Sequence, residues 1–453
     1  MRNNDNIRIL TNPSVSHGEP LHISEKQPAT IPEVLYRTAT ELGDTKGIIY
    51  LQPDGTEVYQ SYRRLWDDGL RIAKGLRQSG LKAKQSVILQ LGDNSQLLPA
   101  FWGCVLTGVV PAPLAVPPTY AESSSGTQKL KDAWTLLDKP AVITDRGMHQ
   151  EMLDWAKEQG LEGFRAIIVE DLLSAEADTD WHQSSPEDLA LLLLTSGSTG
   201  TPKAVMLNHR NIMSMVKGII QMQGFTREDI TFNWMPFDHV GGIGMLHLRD
   251  VYLGCQEINV SSETILMEPL KWLDWIDHYR ASVTWAPNFA FGLVTDFAEE
   301  IKDKKWDLSS MRYMLNGGEA MVAKVGRRIL ELLEPHGLPA DAIRPAWGMS
   351  ETSSGVIFSH EFTRAGTSDD DHFVEIGSPI PGFSMRIVND HNELVEEGEI
   401  GRFQVSGLSV TSGYYQRPDL NESVFTEDGW FETGDHGFLR NGRLTITGRT
   451  KDA

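Results

Sequence analysis

The part of this chain that most narrows what it can fold into is the run Leu191, Leu192, Leu193, Leu194, which passes directly into Thr195-Ser196-Gly197-Ser198-Thr199-Gly200-Thr201-Pro202-Lys203. An unbroken aliphatic run bounded by turn residues reads as a buried strand, and a buried strand needs other layers of structure to cover it. The loop that follows suits an anion. Glycines let backbone N–H groups converge, hydroxyls add donors, and the lysine supplies a mobile positive charge. A nucleotide triphosphate, or the pyrophosphate that leaves it, matches such a loop. The string departs from G-x-x-x-x-G-K-[ST], because Thr201 and Pro202 separate Gly200 from Lys203. A Ser/Gly run is by itself also an ordinary surface turn, so the reading depends on what accompanies it.

Around this strand the apolar pattern alternates in period. It predicts helices over 31–42, 65–79, 95–106 and 150–160, and strands over 47–51, 86–91, 141–144 and 166–169. Such alternation predicts an α/β fold with parallel sheets covered by helices. After about Asp370 the texture changes to short strand-like runs at 385–388, 401–406, 430–432 and 444–447, separated by Gly, Asn, Asp and Pro. These predict a small β-barrel or distorted sheet. The low-complexity patches 122–126 and 368–371 predict loops. The expected organisation is a leader over 1–28, an α/β body over 29–370, a barrel-like part over 371–448 and a hinge over 449–453, where the chain looks cut rather than naturally ended.

Composition excludes several classes. A formal charge of −21 disfavours non-specific attraction to nucleic acid or anionic membrane, and no basic stripe or recognition motif occurs. No apolar run approaches the length of a membrane span. Two cysteines, Cys104 and Cys255, both inside apolar stretches, argue against a disulfide framework and a cysteine-ligated zinc site, so a reducing, cytoplasmic setting is expected.

Four further strings follow the phosphate loop in order: Asn316-Gly317-Gly318-Glu319-Ala320, Trp347-Gly348-Met349-Ser350-Glu351-Thr352, Phe431-Glu432-Thr433-Gly434-Asp435 and Gly448-Arg449-Thr450-Lys451-Asp452. Each is commonplace alone. Together, from about Ile31 onward, they resemble the adenylate-forming superfamily, which includes acyl-CoA synthetases, luciferases and the adenylation domains of peptide and polyketide synthetases. The resemblance implies two helix-covered, largely parallel sheets with a small C-terminal β-barrel, and ATP and Mg²⁺ as cofactors. It implies that Thr195, Ser196, Gly197, Ser198, Thr199 and Gly200 cradle phosphates, with Lys203 on the β- and γ-phosphates. Gly317, Gly318 and Glu319 would lie against adenine, with Trp347 stacking on it and Gly348 among the cofactor-binding residues. Ser350 would meet the α-phosphate, Glu351 would hold Mg²⁺, Asp435 would accept from the ribose hydroxyls and Arg449 would lie near them. Trp347 stands where the family has Tyr, and Ser350 where it has Thr; both keep the stacking surface and the hydroxyl. Complete members add a C-terminal subdomain whose lysine reaches the α-phosphate, and this chain stops at the hinge, so slow adenylation is expected of it.

The same comparison places the acid near Trp234-Met235-Pro236-Phe237-Asp238-His239-Val240-Gly241. Amino-acid-activating relatives carry an aspartate that clamps the α-ammonium, and the favoured register puts Val240 there. Valine implies a substrate without the amine, since a buried charge needs a partner. The other register would give Asp238 that role. His239, Gly241, Gly244, Met314, Asn316, Ala346, Ser354 and Gly355 complete the implied pocket. Phe101-Trp102-Gly103-Cys104 and Pro117-Pro118 resemble fatty-acyl-AMP ligases and loading domains of mixed polyketide–peptide synthetases. The favoured expectation is a ligase acting as a loading domain for an aryl, α-hydroxy or α-keto acid in secondary metabolism. It would pass its acyl group to a carrier protein's phosphopantetheine. A free-standing acyl-CoA synthetase, an amino-acid adenylation domain and a non-catalytic scaffold are the rivals.

Overall fold

The computed structural model describes residues 9–196 and 201–450. The first part of the chain comprises β1 (Val15–His17), α1 (Ile31–Leu42), β2 (Gly47–Leu51), β3 (Glu57–Ser61), α2 (Tyr62–Gln78), β4 (Ser86–Leu89) and α3 (Asn94–Thr107). It continues through β5 (Val110–Pro113), α4 (Ser125–Leu136), β6 (Ala141–Thr144), α5 (Arg146–Glu158), β7 (Ala166–Ile168) and α6 (Val169–Leu173). Strands β5, β4, β6 and β7 form a parallel four-stranded sheet in that order. Two helices start where a side chain caps them, ahead of the apolar pattern. Ser61 accepts from the Arg64 N–H and starts α2 three residues before the expected Leu65, and Asp145 does the same for α5 through Met148. The patch 122–126, expected as a loop, enters α4 at Ser125 because Ser124 and Thr127 form a reciprocal cap.

The aliphatic run lies in β8 (Leu189–Ser196), which pairs antiparallel with β9 (Pro202–Asn208). The run is apolar on both faces because the hairpin lies between two cores. Leu191 and Leu193 join the main core with Val205 and Leu207, whereas Leu192 and Leu194 join the core under the four-stranded sheet with Ala204.

The rest of the chain builds the second sheet. After α7 (His209–Gln223) come β10 (Ile230–Asn233), a π-helix over Gly241–Leu248, β11 (Gln256–Val260), β12 (Val283–Trp285), β13 (Tyr313–Asn316), β14 (Ile343–Met349) and β15 (Ser354–Phe358). Then follow β16 (Glu375–Pro379), β17 (Phe383–Val388), β18 (Gly401–Gly407), β19 (Phe431–Arg440) and β20 (Arg443–Arg449). The strand order is β1-β17-β18-β19-β20-β16-β15-β14-β13-β12-β10-β11-β2-β3, fourteen strands among the described residues. Strands β2, β11, β10, β12, β13 and β14 run parallel to one another along this ladder, with β3 antiparallel to β2 at its end. From β14 onward the pairing is antiparallel, and β16 joins β15 to β20. The late strands, expected as a small barrel or distorted sheet, therefore continue the large sheet edge to edge.

The N-terminal segment is also sewn in. Val15, Ser16 and His17 pair with Arg386, Met385 and Ser384, and Glu396 accepts from the Thr11 and Asn12 N–H groups. Among the described residues no helix is long and apolar enough to cross a membrane.

Candidate active site

A cavity of about 450 Å³ opens where β13 and β14 end beside the π-helix. Its walls come from the π-helix side (His239, Val240, Gly241), the turn after β13 (Gly317, Gly318, Glu319) and the β14–β15 corner (Ala346, Trp347, Gly348, Ser350, Ser354, Gly355), with Arg449 at the rim. Residues spread over more than 200 positions of sequence thus meet in one place.

The β14–β15 corner is tightly constrained. A Cβ on Gly348 would lie 2.1 Å from the Ser354 carbonyl oxygen, so only glycine fits the cross-strand approach. Ser353 and Ser354 follow with φ of 65° and 146°, conformations that non-glycine residues adopt only when their surroundings enforce them. Ser353 Oγ donates to the Ser409 carbonyl and Thr352 Oγ1 engages the Met349 and Ser354 carbonyls, which supplies that enforcement. The corner carries Ser350 into the cavity wall and Glu351 into a buried position behind it.

Two polar chains are built on this corner. In the first, Tyr414 Oη donates to Glu351 Oε2 at 2.8 Å, and Lys203 Nζ lies 3.4 Å from the same hydroxyl and 4.5 Å from the ring centroid. Burial, and then the Glu351 carboxylate, push the Tyr414 phenol well above its ordinary range, so it stays a donor. In the second chain, Trp347 Nε1 donates to Asp435 Oδ2 and Arg449 Nε to Asp435 Oδ1, each at 2.9 Å. The indole in place of a phenol therefore gives the ring at the cavity wall a fixed hydrogen bond to the buried carboxylate.

Thr195, Ser196 and Lys203 of the phosphate loop lie at the β8–β9 end. Thr195 faces Lys203 in register, and its hydroxyl is buried without a partner among the described residues. The Ser196 backbone pairs with Pro202. Gly197, Ser198, Thr199 and Gly200 fall outside the described residues.

Gly318 has φ of 91°, which favours glycine, and the Glu319 carboxylate accepts from the Phe289 N–H at 2.7 Å.

Three of the expected acid-pocket residues do not line the cavity. Met314 packs into the core on the other face of β13, Asn316 is buried and donates to the Ala286 carbonyl, and Gly244 lies inside the π-helix against Ser353 and Met215. Strand alternation is the reason: Leu315 faces the cavity, so its neighbours on β13 face away. Met245, Trp285 and Phe289 line the cavity and carried no motif to flag them, and Met235, inside the segment expected near the acid, lines it too. Asp238 does not line it, whereas Val240 does.

Among the described residues no group of three or more His, Cys, Asp or Glu side chains is placed to hold a metal alone. A single carboxylate such as Glu351 fits Mg²⁺, which keeps several waters and takes phosphate oxygens.

The AMP-binding enzyme family matches residues 35–415. Aspulvinone E synthetase melA of Aspergillus terreus is 31% identical over 94% of this chain, which spans 46% of that relative. The chain thus covers about half the length of the curated relatives it matches. Among solved structures, the adenylation domain of a keto acid-selecting NRPS module bound to keto acyl adenylate is 42% identical with a TM-score of 0.92, covering 97% of this chain and 83% of that one. The McyG A-PCP structure complexed with phenylalanyl-adenylate is 43% identical with a TM-score of 0.93, covering 96% and 78%.

Proposed function

We propose, from the premise that this chain belongs to the AMP-binding enzyme family, that it joins a carboxylic acid lacking a free α-amine to AMP. A carboxylate oxygen attacks the α-phosphorus of ATP, the bond to the β-phosphate oxygen breaks and pyrophosphate leaves. Lys203 and the β8–β9 loop would hold the departing phosphates, and Ser350 would meet the α-phosphate. Asp435, steadied by Trp347 and Arg449, would accept from the ribose hydroxyls. Glu351 would hold Mg²⁺, which neutralises phosphate charge when bound. Oriented groups at charge that develops in the transition state supply most of the acceleration in such sites.

The observation that carries the choice of acid is the wall of Val240, Gly241, Leu315 and Ala346, which brings no carboxylate, with Asp238 outside the cavity. An α-ammonium held between these four residues would meet no carboxylate on them, and the carboxylate that does line the cavity, Glu319, sits on the turn after β13 and is engaged by the Phe289 N–H. The solved structure bound to keto acyl adenylate supports the same reading. The activated acyl group then passes to the thiol of a carrier protein's phosphopantetheine, forming a thioester and releasing AMP. The two free, buried thiols Cys104 and Cys255 suit a cytoplasmic setting.

Pyrophosphate exchange with paired amino, α-keto, α-hydroxy and deaminated acids tests this. Amine-free members are expected to exceed their amino counterparts at least about tenfold, as for a site that leaves a charge unpaired. Preference for the amino acids would overturn the reading and make this an amino-acid adenylation domain.

A further inference from the structure

Behind the acid end of the cavity runs a buried polar chain that the proposed reaction does not use. His247, on the π-helix, and Glu257, on β11, are both 0% exposed. Trp102 Nε1 lies 3.0 Å from His247 Nε2, and an indole N–H can only donate. Nε2 is therefore the acceptor, so the imidazole proton sits on Nδ1, 2.8 Å from Glu257 Oε2. The other oxygen, Oε1, accepts from Asn233 Nδ2 at 3.2 Å, and Asn233 Oδ1 accepts from the Met235 N–H at 3.0 Å. Met235 lines the cavity, and its sulfur would lie 2.6 Å from a Cβ on Gly241. Every donor in this chain has an acceptor, from α3 through the π-helix and β11 to the cavity wall.

A histidine–carboxylate pair with no exposure is costly, and apolar replacements of the same shape often stabilise a core. A π-turn in the wall of a cavity likewise marks a place where geometry outweighs helix stability. The pair ties together the two segments that carry Met235 and Val240-Gly241, which meet in the cavity wall where the Met235 sulfur lies against Gly241. It shares no residue with the Lys203–Tyr414–Glu351 or Trp347–Asp435–Arg449 chains.

We infer that His247 and Glu257 are positioning residues that set the spacing of Met235 against Gly241, and so decide which acid side chain the cavity accepts. This rests on the proposed adenylation of an acid in the cavity. Glu257→Gln keeps the shape but turns one acceptor into a donor facing either His247 Nδ1–H or Asn233 Nδ2, so one bond is lost. Asn233→Ala cuts the chain one step nearer the cavity. In pyrophosphate exchange, both variants are expected to raise KM for the preferred acid about tenfold, with KM for ATP within about twofold. Both are also expected to shrink the preference for that acid over an analogue one methylene smaller. Equal rises in both KM values, or an unchanged preference, would make the pair merely structural and overturn the inference. If Glu257→Gln is insoluble, Asn233→Ala decides by the same two results. If the parent chain activates no acid, the proposed function itself fails and the positioning role falls with it. An active parent with parent-like variants refutes only the positioning role.

Discussion

Tyr414 joins two groups that come from different motifs. Its hydroxyl donates to the buried Glu351 carboxylate while its ring lies under the Lys203 ammonium. Tyr414→Phe keeps the ring and removes only the donor. A buried carboxylate that loses a partner costs about 1–3 kcal/mol, so nucleotide affinity in the presence of Mg²⁺ is expected to fall about tenfold. Affinity without Mg²⁺ is expected to change little. Calorimetric titration of a non-hydrolysable ATP analogue, with and without Mg²⁺, checks this; equal losses would shift the effect from Glu351 to Lys203. At this scale the residues legible in advance were those inside short contiguous strings. Tyr414 lies in such a string, Gly413-Tyr414-Tyr415, but its role was not legible, because its partners lie 63 and 211 positions away and no local pattern records such a contact. Met314 and Asn316, expected around the acid, do not line the cavity for a related reason. A position carried over from a motif does not say which face of β13 is turned to the cavity, and alternation gives that face to Leu315.

Elements were legible where apolar periodicity alone defines them, as in α1, β2 and β6, whose limits match the pattern. They were less legible where a cap decides, as at Ser61, Ser124 and Asp145. The contact between α1 and α7 was invisible. The Ile31 N–H, at the start of α1, donates to Nδ1 of the buried His209, the first residue of α7. Burial, countered by Asp188 and aided by His182, lowers the His209 pKa from 6.5 to about 4. The folded state then binds fewer protons than the unfolded state between these values, so stability rises with pH there. The contribution is complete above pH 6.5 and is lost as pH falls toward 4, to the extent of roughly 3 kcal/mol. Melting temperatures between pH 8 and 4.5 are expected to fall more steeply for the parent than for His209→Asn, which can still accept from Ile31. Parallel curves would assign the loss to other groups.

For the whole molecule, the alternating texture correctly indicated helix-covered parallel sheets, but it could not indicate that the antiparallel strands after β15 extend one of them. Which strands share a ladder depends on contacts between β16 and both β15 and β20, set by tertiary packing. A ladder this long has two ends. At one end lies β3, with Val58 and Tyr59 exposed; at the other, β17 is covered by β1 over only three residues. Uncovered, β17 would present the edge of Phe383-Ser384-Met385-Arg386 with free backbone donors and acceptors, while Leu394 and Val395 still pair with its Ile387–Val388 end; the freed edge is a template for another copy of itself. A chain shortened to begin at residue 19 is expected to keep its nucleotide site but to form higher-mass species as concentration rises, measured by light scattering after size exclusion. A monodisperse product would mean that β17 needs no cover. On this expectation residues 14–18 act as a shield against self-templated aggregation, and a version trimmed past them would trade a tidier terminus for poorer colloidal behaviour.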